Sequence, residues 1–163
     1  MEKVWFRRLE KKDYDNVYDL IEKASGHPFF SFDTTYFDKD TYFHLINQME
    51  IRKLYIQYGI FYKDQLIGIV SLHDIDSDKS SGEYSIYLKQ DYHHKGFAHK
   101  ATTFILTEAF QRIGLHHVYL RVDSNNEMAI RFYERFGFVP SDLCEHKSTQ
   151  GYKCYEISED RLI

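Results

Sequence analysis

The stretch from Glu83 to Gly137 constrains the fold more than any other part of this chain of 163 residues. It contains a strand leading directly into a helix twice over. Glu83 to Lys89 reads as a strand, followed by a tight turn and a helix opening at His94-Lys95-Gly96-Phe97-Ala98. Val118 to Val122 reads as a second strand, Ser124 to Glu127 has capping-box spacing, and the helix that follows carries Tyr133. A strand feeding straight into a glycine-bearing helix N-terminus leaves backbone N–H groups unpaired, and these attract anions. Lys95 adds a full positive charge to the first of the two turns. A phosphate or pyrophosphate suits that arrangement best.

Other phosphate loops fail on spacing. There is no G-x-x-x-x-G-K-[ST], and Gly96 stands alone where a dinucleotide fold would need G-x-G-x-x-G. The spacing His93-x-x-Gly96-x-Ala98 resembles instead the [QR]-x-x-G-x-[GA] pyrophosphate loop of the GNAT superfamily of N-acetyltransferases, which bind acetyl-coenzyme A. Downstream, Asn126-Glu127-x-Ala129-Ile130-x-x-Tyr133-Glu134-x-x-Gly137-Phe138 is similar to the same family's second cofactor strand and helix. The resemblance extends well over about residues 52 to 157 and loosely over the first 50. One position departs from it: His93 stands where the family usually has Gln or Arg, and a histidine still offers a hydrogen-bond donor.

The resemblance implies a set of site residues. Tyr87, Leu88, His93, His94, Lys95, Gly96, Phe97, Ala98, His99, Lys100 and Asn126 would bind the cofactor. A main-chain N–H near Leu88 would polarise the thioester carbonyl where the strand splays from its neighbour. Glu83 is the expected base, because an ammonium has no lone pair until a carboxylate or a water removes its proton. Tyr133 is expected to protonate or stabilise the departing thiolate. Each also has a plainer role: Glu83 could solvate a strand start, Asn126 could polarise a helix entry, and Tyr133 could be core packing.

The rest of the chain reads consistently with one α/β domain spanning residues 1–163. Val4 to Leu9 forms a first strand, Asp13 to Ala24 and Asp38 to Met49 have helical apolar spacing, and an aromatic loop at Ser25 to Phe32 lies between them. The period then switches to two: Leu54 to Tyr62 and Gln65 to Asp74 flank a turn at Lys63-Asp64. Gly96 to Ile113 is a helix closed by Gly114, Asn125 to Phe136 a helix closed by Gly137, and Phe138 to His146 with Gly151 to Ile157 a final hairpin. The expected fold is the GNAT one: a mixed, mostly antiparallel central sheet of six to seven strands flanked by about four helices.

Charge and cysteine content narrow the function classes. A net charge of −4 argues against a nucleic-acid partner, and the apolar runs are too short for a membrane span. With no leader read before Trp5, the expected compartment is the cytoplasm, and Cys144 and Cys154 are expected to be reduced thiols. Cys144-x-His146 with Cys154 offers only three possible ligands, and the histidines show no metal-binding spacing, so no metal is expected. The aspartates at 74, 76 and 78, and those at 33, 38 and 40, read either as solvated loops or as attraction for a cationic acceptor. The expected function is therefore acetyl-CoA-dependent N-acetyl transfer to a primary amine, small-molecule or peptide, by direct attack in a ternary complex. The runs resemble spermidine acetyltransferases and ribosomal-protein alanine acetyltransferases equally, and a homo-oligomer is compatible with either. The alternative is an inactive acetyl-CoA-binding sensor or interaction module of the same fold.

Overall fold

The computed structural model describes residues 3–25 and 38–162. Most of the expected aromatic loop, and Asp33 just after it, falls outside these residues. Among the described residues, seven strands form one sheet in the order β1-β2-β3-β4-β5-β7-β6. They are β1 (Trp5–Arg8), β2 (Tyr55–Tyr62), β3 (Gln65–Asp76), β4 (Ser81–Leu88), β5 (His117–Asp123), β6 (Val139–Pro140) and β7 (Tyr152–Ser158). Every neighbouring pair is antiparallel except β4 and β5, which run parallel. This is the mixed, mostly antiparallel sheet that the motifs imply.

Four α-helices among the described residues accompany the sheet: α1 (Tyr14–Ser25), α2 (Lys39–Ile51), α3 (Phe97–Thr107) and α4 (Glu127–Phe136). The apolar residues spaced along α1 and α2 put Val17, Ile21, Tyr42 and Phe43 into a small core against Leu66 and Ile69 of β3. The other face of the sheet carries the larger core, where Ala101, Ile105 and Leu106 of α3 and Ile130 of α4 meet Val70, Leu72, Tyr84, Val118 and Leu120. Strand alternation therefore gives the sheet two differently furnished sides. Glu83, Ser85 and Tyr87 of β4 face one way, and Tyr84, Ile86 and Leu88 the other.

Three expectations need correction. The helix from Gly96 is not uniformly α: from Glu108 to Ile113 it widens into π turns, and Gly114 closes it in the left-handed region at φ 87°. The helix after β5 does not start from Ser124. Asp123 Oδ1 accepts from Asn125 N at 2.8 Å, and this turn moves the helix start to Asn126, whose Oδ1 accepts from Ala129 N at 3.2 Å. The final hairpin has a very short first arm. β6 pairs with β7 at Val139 and Pro140, a last cross-strand bond runs from Ser141 N to Cys154 O at 3.0 Å, and the chain then turns back over β5.

That turn overturns the expected thiols. Cys144 and Cys154, ten positions apart in sequence, form a disulfide with Cα atoms 6.1 Å apart. The short β6 is the cause, since it brings residues 141–151 back beside β7 rather than extending them as a strand. The disulfide also removes both sulfurs from any metal site.

Candidate active site

Pairing between β4 and β5 covers only Ser81–Glu83 against His117–Tyr119. Beyond Glu83 the two strands diverge. Lys89 N donates to Ile67 O at 2.9 Å, which makes that a hydrogen-bonded pair of the β3–β4 ladder. Alternation along the ladder then turns the amides of Leu88 and Ile86, opposite Gly68 and Val70, away from β3 and towards the gap beside β5. A cavity of about 150 Å³ occupies the gap, lined by residues including Tyr84, Ile86, Leu120, Asn126, Ala129 and Tyr133. A thioester arm entering it would meet main-chain donors on one side and Tyr133 on the other.

At the end of β4 the chain reaches the glycine turn. Gly96 has φ 81°, the left-handed region that glycine adopts without a side-chain clash, and it is the cap residue of α3. The first intrahelical bond runs from Lys100 N to Gly96 O at 3.2 Å, and no side chain caps the helix. The amides of Phe97, Ala98 and His99 thus have no intrahelical partner. No heavy atom lies within 4 Å of where a Cβ on Gly96 would stand. This open, amide-rich end fits a pyrophosphate on its own geometry.

The side chains around that turn divide into three groups. His94, Lys95 and Lys100 are exposed at the turn. Phe97 is buried against Tyr62 and Tyr92, so only its amide faces outward, and His99 packs on Phe136 with ring centroids 4.9 Å apart. His93 turns inward to a different partner: its Nε2 hydrogen-bonds the Leu88 carbonyl at 2.8 Å, so this nitrogen ties the turn to β4. Tyr87 lies outside this set, with its side chain in the cleft on the opposite side of the sheet. Asn126 lines the gap while its oxygen caps α4.

Tyr133 stands edge-on to Tyr84, with centroids 6.0 Å apart and planes at 86°. Burial pushes its phenol up to about 12, against a smaller opposing pull from its hydrogen bond with Tyr84. The phenol therefore stays protonated throughout the neutral range. Tyr84 is held in turn through its hydroxyl, 2.8 Å from Thr102 Oγ1 on α3.

Glu83 lies on the other side of the sheet and is only 3% exposed. Its Oε2 accepts from Arg121 Nε at 3.2 Å, and its Oε1 accepts from Lys147 Nζ. Lys147 also donates to Asp74 Oδ2 and sits 5.2 Å from the Tyr119 ring centroid. His73, whose Nδ1 stands 3.7 Å from Asp74 Oδ2, and then the ammonium of Lys147 hold the Asp74 carboxyl well below the usual range. For Lys147, burial pulls the ammonium down, but its bonds to Asp74 and Glu83 outweigh that and raise it overall. Among the described residues, His73, Asp74 and Glu83 place one potential ligand atom each within 4.8 Å of one another, although Lys147 already pairs with both carboxylates.

A second cleft, of about 360 Å³, opens on this side. Tyr42, Tyr55, Met49 and Tyr87 form apolar walls, and Asp74, Glu83 and Arg121 stand at one end. Ser85, Ile86 and Arg121 line both cavities, so the two clefts meet at the diverging strands. The sequence reading missed Arg121, Lys147 and His73. Arg121 and His73 had a signal available, since period two puts them on the same face as Glu83. Lys147 had none, because only the turn after β6 brings it there. Of the aspartates left between two readings, Asp38 caps α2 by accepting from Thr41 N at 2.8 Å, and Asp76 accepts from Asp78 N at 2.9 Å within its turn.

Two clefts that meet at a strand divergence, one with buried acid, and an open helix N-terminus after the same strand suit an acyl-CoA-dependent transferase. The chain belongs to the acetyltransferase (GNAT) domain family, which it matches over residues 3–139. It is an N-acetyltransferase that uses acetyl-CoA. It is 36% identical over 74 residues to the spermidine N(1)-acetyltransferase of Vibrio cholerae, a match spanning 45% of this chain and 43% of that protein. It is 27% identical to the ribosomal N-acetyltransferase YdaF of Bacillus subtilis, across 85% of this chain and 79% of the relative. Its fold matches the crystal structure of the Vibrio cholerae spermidine N-acetyltransferase in complex with CoA and spermine, with TM-score 0.82 and 25% identity over 98% of this chain and 97% of that one.

Proposed function

We propose that the acceptor is a polyamine, with Glu83 taking its proton and Tyr133 stabilising the leaving thiolate. The observation that carries this is the second cleft: aromatic walls at Tyr42, Tyr55 and Tyr87 leading to Asp74 and Glu83. A polyamine alternates methylene segments with ammonium groups. Its methylenes suit the walls, its cationic centres favour aromatic faces, and its reacting end favours a carboxylate. The spermidine acetyltransferases among its relatives support the same acceptor class.

The cosubstrate supplies an activated acetyl group as a thioester; the protein's own groups supply position and proton management. The amides of Phe97, Ala98 and His99, with Lys95 and Lys100 beside them, hold the pyrophosphate. The Leu88 and Ile86 amides aim into the gap and donate to the carbonyl oxygen as charge develops on it. Glu83 removes the acceptor's proton from the other side of β4. Tyr133, with its phenol at about 12, hands a proton to a thiolate of ordinary acidity (about 8.5) only uphill, by roughly 5 kcal/mol. It therefore acts chiefly by donating a hydrogen bond. Self-association fits the exposed Leu45, Met49 and Ile51 on α2.

A pooled screen with mass detection tests the acceptor, with spermidine set against an alanine-initiated peptide. Acetylspermidine as the dominant product supports the proposal. Preferential acetylation of the peptide would replace the polyamine with a peptide N-terminus. Acetyl-CoA binding with no product from any amine would favour the sensor reading.

A further inference from the structure

We propose that Lys147 is a built-in occupant of the acceptor's ammonium position, displaced when an amine binds, and that the Cys144–Cys154 disulfide holds it there. This rests on the reading of the Glu83 cleft as the acceptor site. The starting observation is that both oxygens of Glu83 are engaged by cations and the residue is only 3% exposed: Lys147 bonds Oε1 and Arg121 bonds Oε2. A substrate ammonium reaches a carboxylate enclosed in this way by displacing one of the two.

Lys147 is the partner suited to leave. Arg121 sits on β5, inside the sheet, and its guanidinium bridges Glu83 to Ser148 O at 3.2 Å. Lys147 comes from the turn between β6 and β7, outside the sheet. Its head is a primary ammonium with three donors, the same chemical group that a polyamine presents. Exchange of one ammonium for the other leaves the buried charge unchanged, so neither state strands Glu83 or Asp74 without a cation. A guanidinium does not reproduce that geometry.

The turn explains how Lys147 is kept in place. Lys147 N donates to Cys144 O at 2.9 Å, so its backbone is fixed directly to one half of the disulfide. Cys154, the other half, lies on β7 opposite Arg121 of β5. The disulfide thus ties the segment carrying Lys147 to the strand beside Arg121. The side chain of Lys147 is 14% exposed, resting over the Tyr119 ring. A tethered cation competes with every acceptor, and the apparent affinity falls by the fraction of time the position is free.

Spermidine is the probe, with binding measured by calorimetry and acetylspermidine by mass, in the parent, Lys147→Met, Lys147→Arg and Glu83→Gln proteins. Removal of the tethered cation should lower the spermidine KM and Kd of Lys147→Met about tenfold, as for a position free about a tenth of the time, without lowering kcat. Lys147→Arg, which keeps the charge, should stay at or above the parent's KM. Reduction of the disulfide with a phosphine should shift the parent in the direction of Lys147→Met and leave Lys147→Met itself unmoved. An unchanged or raised KM in a folded Lys147→Met protein overturns the proposal, while impaired turnover in Glu83→Gln leaves the acceptor site standing. A parent insensitive to reduction overturns the disulfide's part. Glu83→Gln indistinguishable from the parent, or no spermidine binding in any protein, counts against the acceptor-site reading and takes this proposal with it.

Discussion

Glu83 and Tyr84 are neighbours on β4 whose side chains enter opposite sides of the sheet. Glu83 meets Arg121 and Lys147 in the acceptor cleft, whereas Tyr84 meets Tyr133 and Thr102 beside the cofactor gap. The proposed base and the proposed thiolate-stabilising phenol are thus separated by the thickness of one strand. This is also where β4 stops pairing with β5, so the reacting groups can meet through the sheet. Each side can be altered without disturbing the other.

Tyr133→Phe tests the cofactor side. The change removes the hydroxyl and leaves the ring against Tyr84 and Phe138. Because the phenol acts as a hydrogen-bond donor, kcat should fall ~10²–10³-fold. Acetyl-CoA affinity and melting temperature should barely move, since Tyr84 keeps its bond to Thr102. A less stable protein with kcat intact would return Tyr133 to the core.

On the acceptor side, Glu83→Gln should reduce turnover most at low pH. There the amine arrives almost wholly protonated and an internal base matters most. A pH–rate profile should steepen on its acid limb relative to the parent. Identical profiles would mean that another group or a water removes the proton.

Gly96→Val tests the pyrophosphate turn. Its φ of 81° carries a strain cost of about 1–2 kcal/mol for a residue with a Cβ, but no neighbour stands within 4 Å of that atom, so the fold should survive. Acetyl-CoA should raise the melting temperature of the parent by mass action and leave the variant's unshifted. Equal stabilisation of a folded variant would move the pyrophosphate elsewhere.

A fourth expectation concerns acid stability. Arg7 donates to both oxygens of Asp13, at 2.7 and 2.8 Å, and chiefly this pairing lowers the Asp13 carboxyl below its usual value. A depressed folded value contributes stability above the unfolded pKa of about 3.9. That contribution is lost as the pH falls through the lower, folded value. Asp13→Asn should therefore be less stable than the parent at pH 7 by about 2 kcal/mol, and the difference should close in strong acid. A gap that stays constant down to the lowest pH would assign the loss to packing instead.

The sequence alone determined what repeats locally. Strand period, helix period and the glycines at 96, 114 and 137 are properties of neighbouring residues, so the element order and the anion-binding turn were legible without the fold. Tyr133 was legible too, because it belongs to a motif with fixed spacing. Tertiary structure decided what depends on contacts between distant segments. Ser124 lost its capping role to Asn126 through a turn at Asp123, and His93 spent a nitrogen on Leu88. Cys144 and Cys154, expected as reduced thiols, are joined because the chain turns back after the short β6. The same turn carried Lys147 across 64 positions of sequence to Glu83. No local pattern encodes that meeting, because the pairing energy appears only after the sheet has closed and β7 has docked against β5.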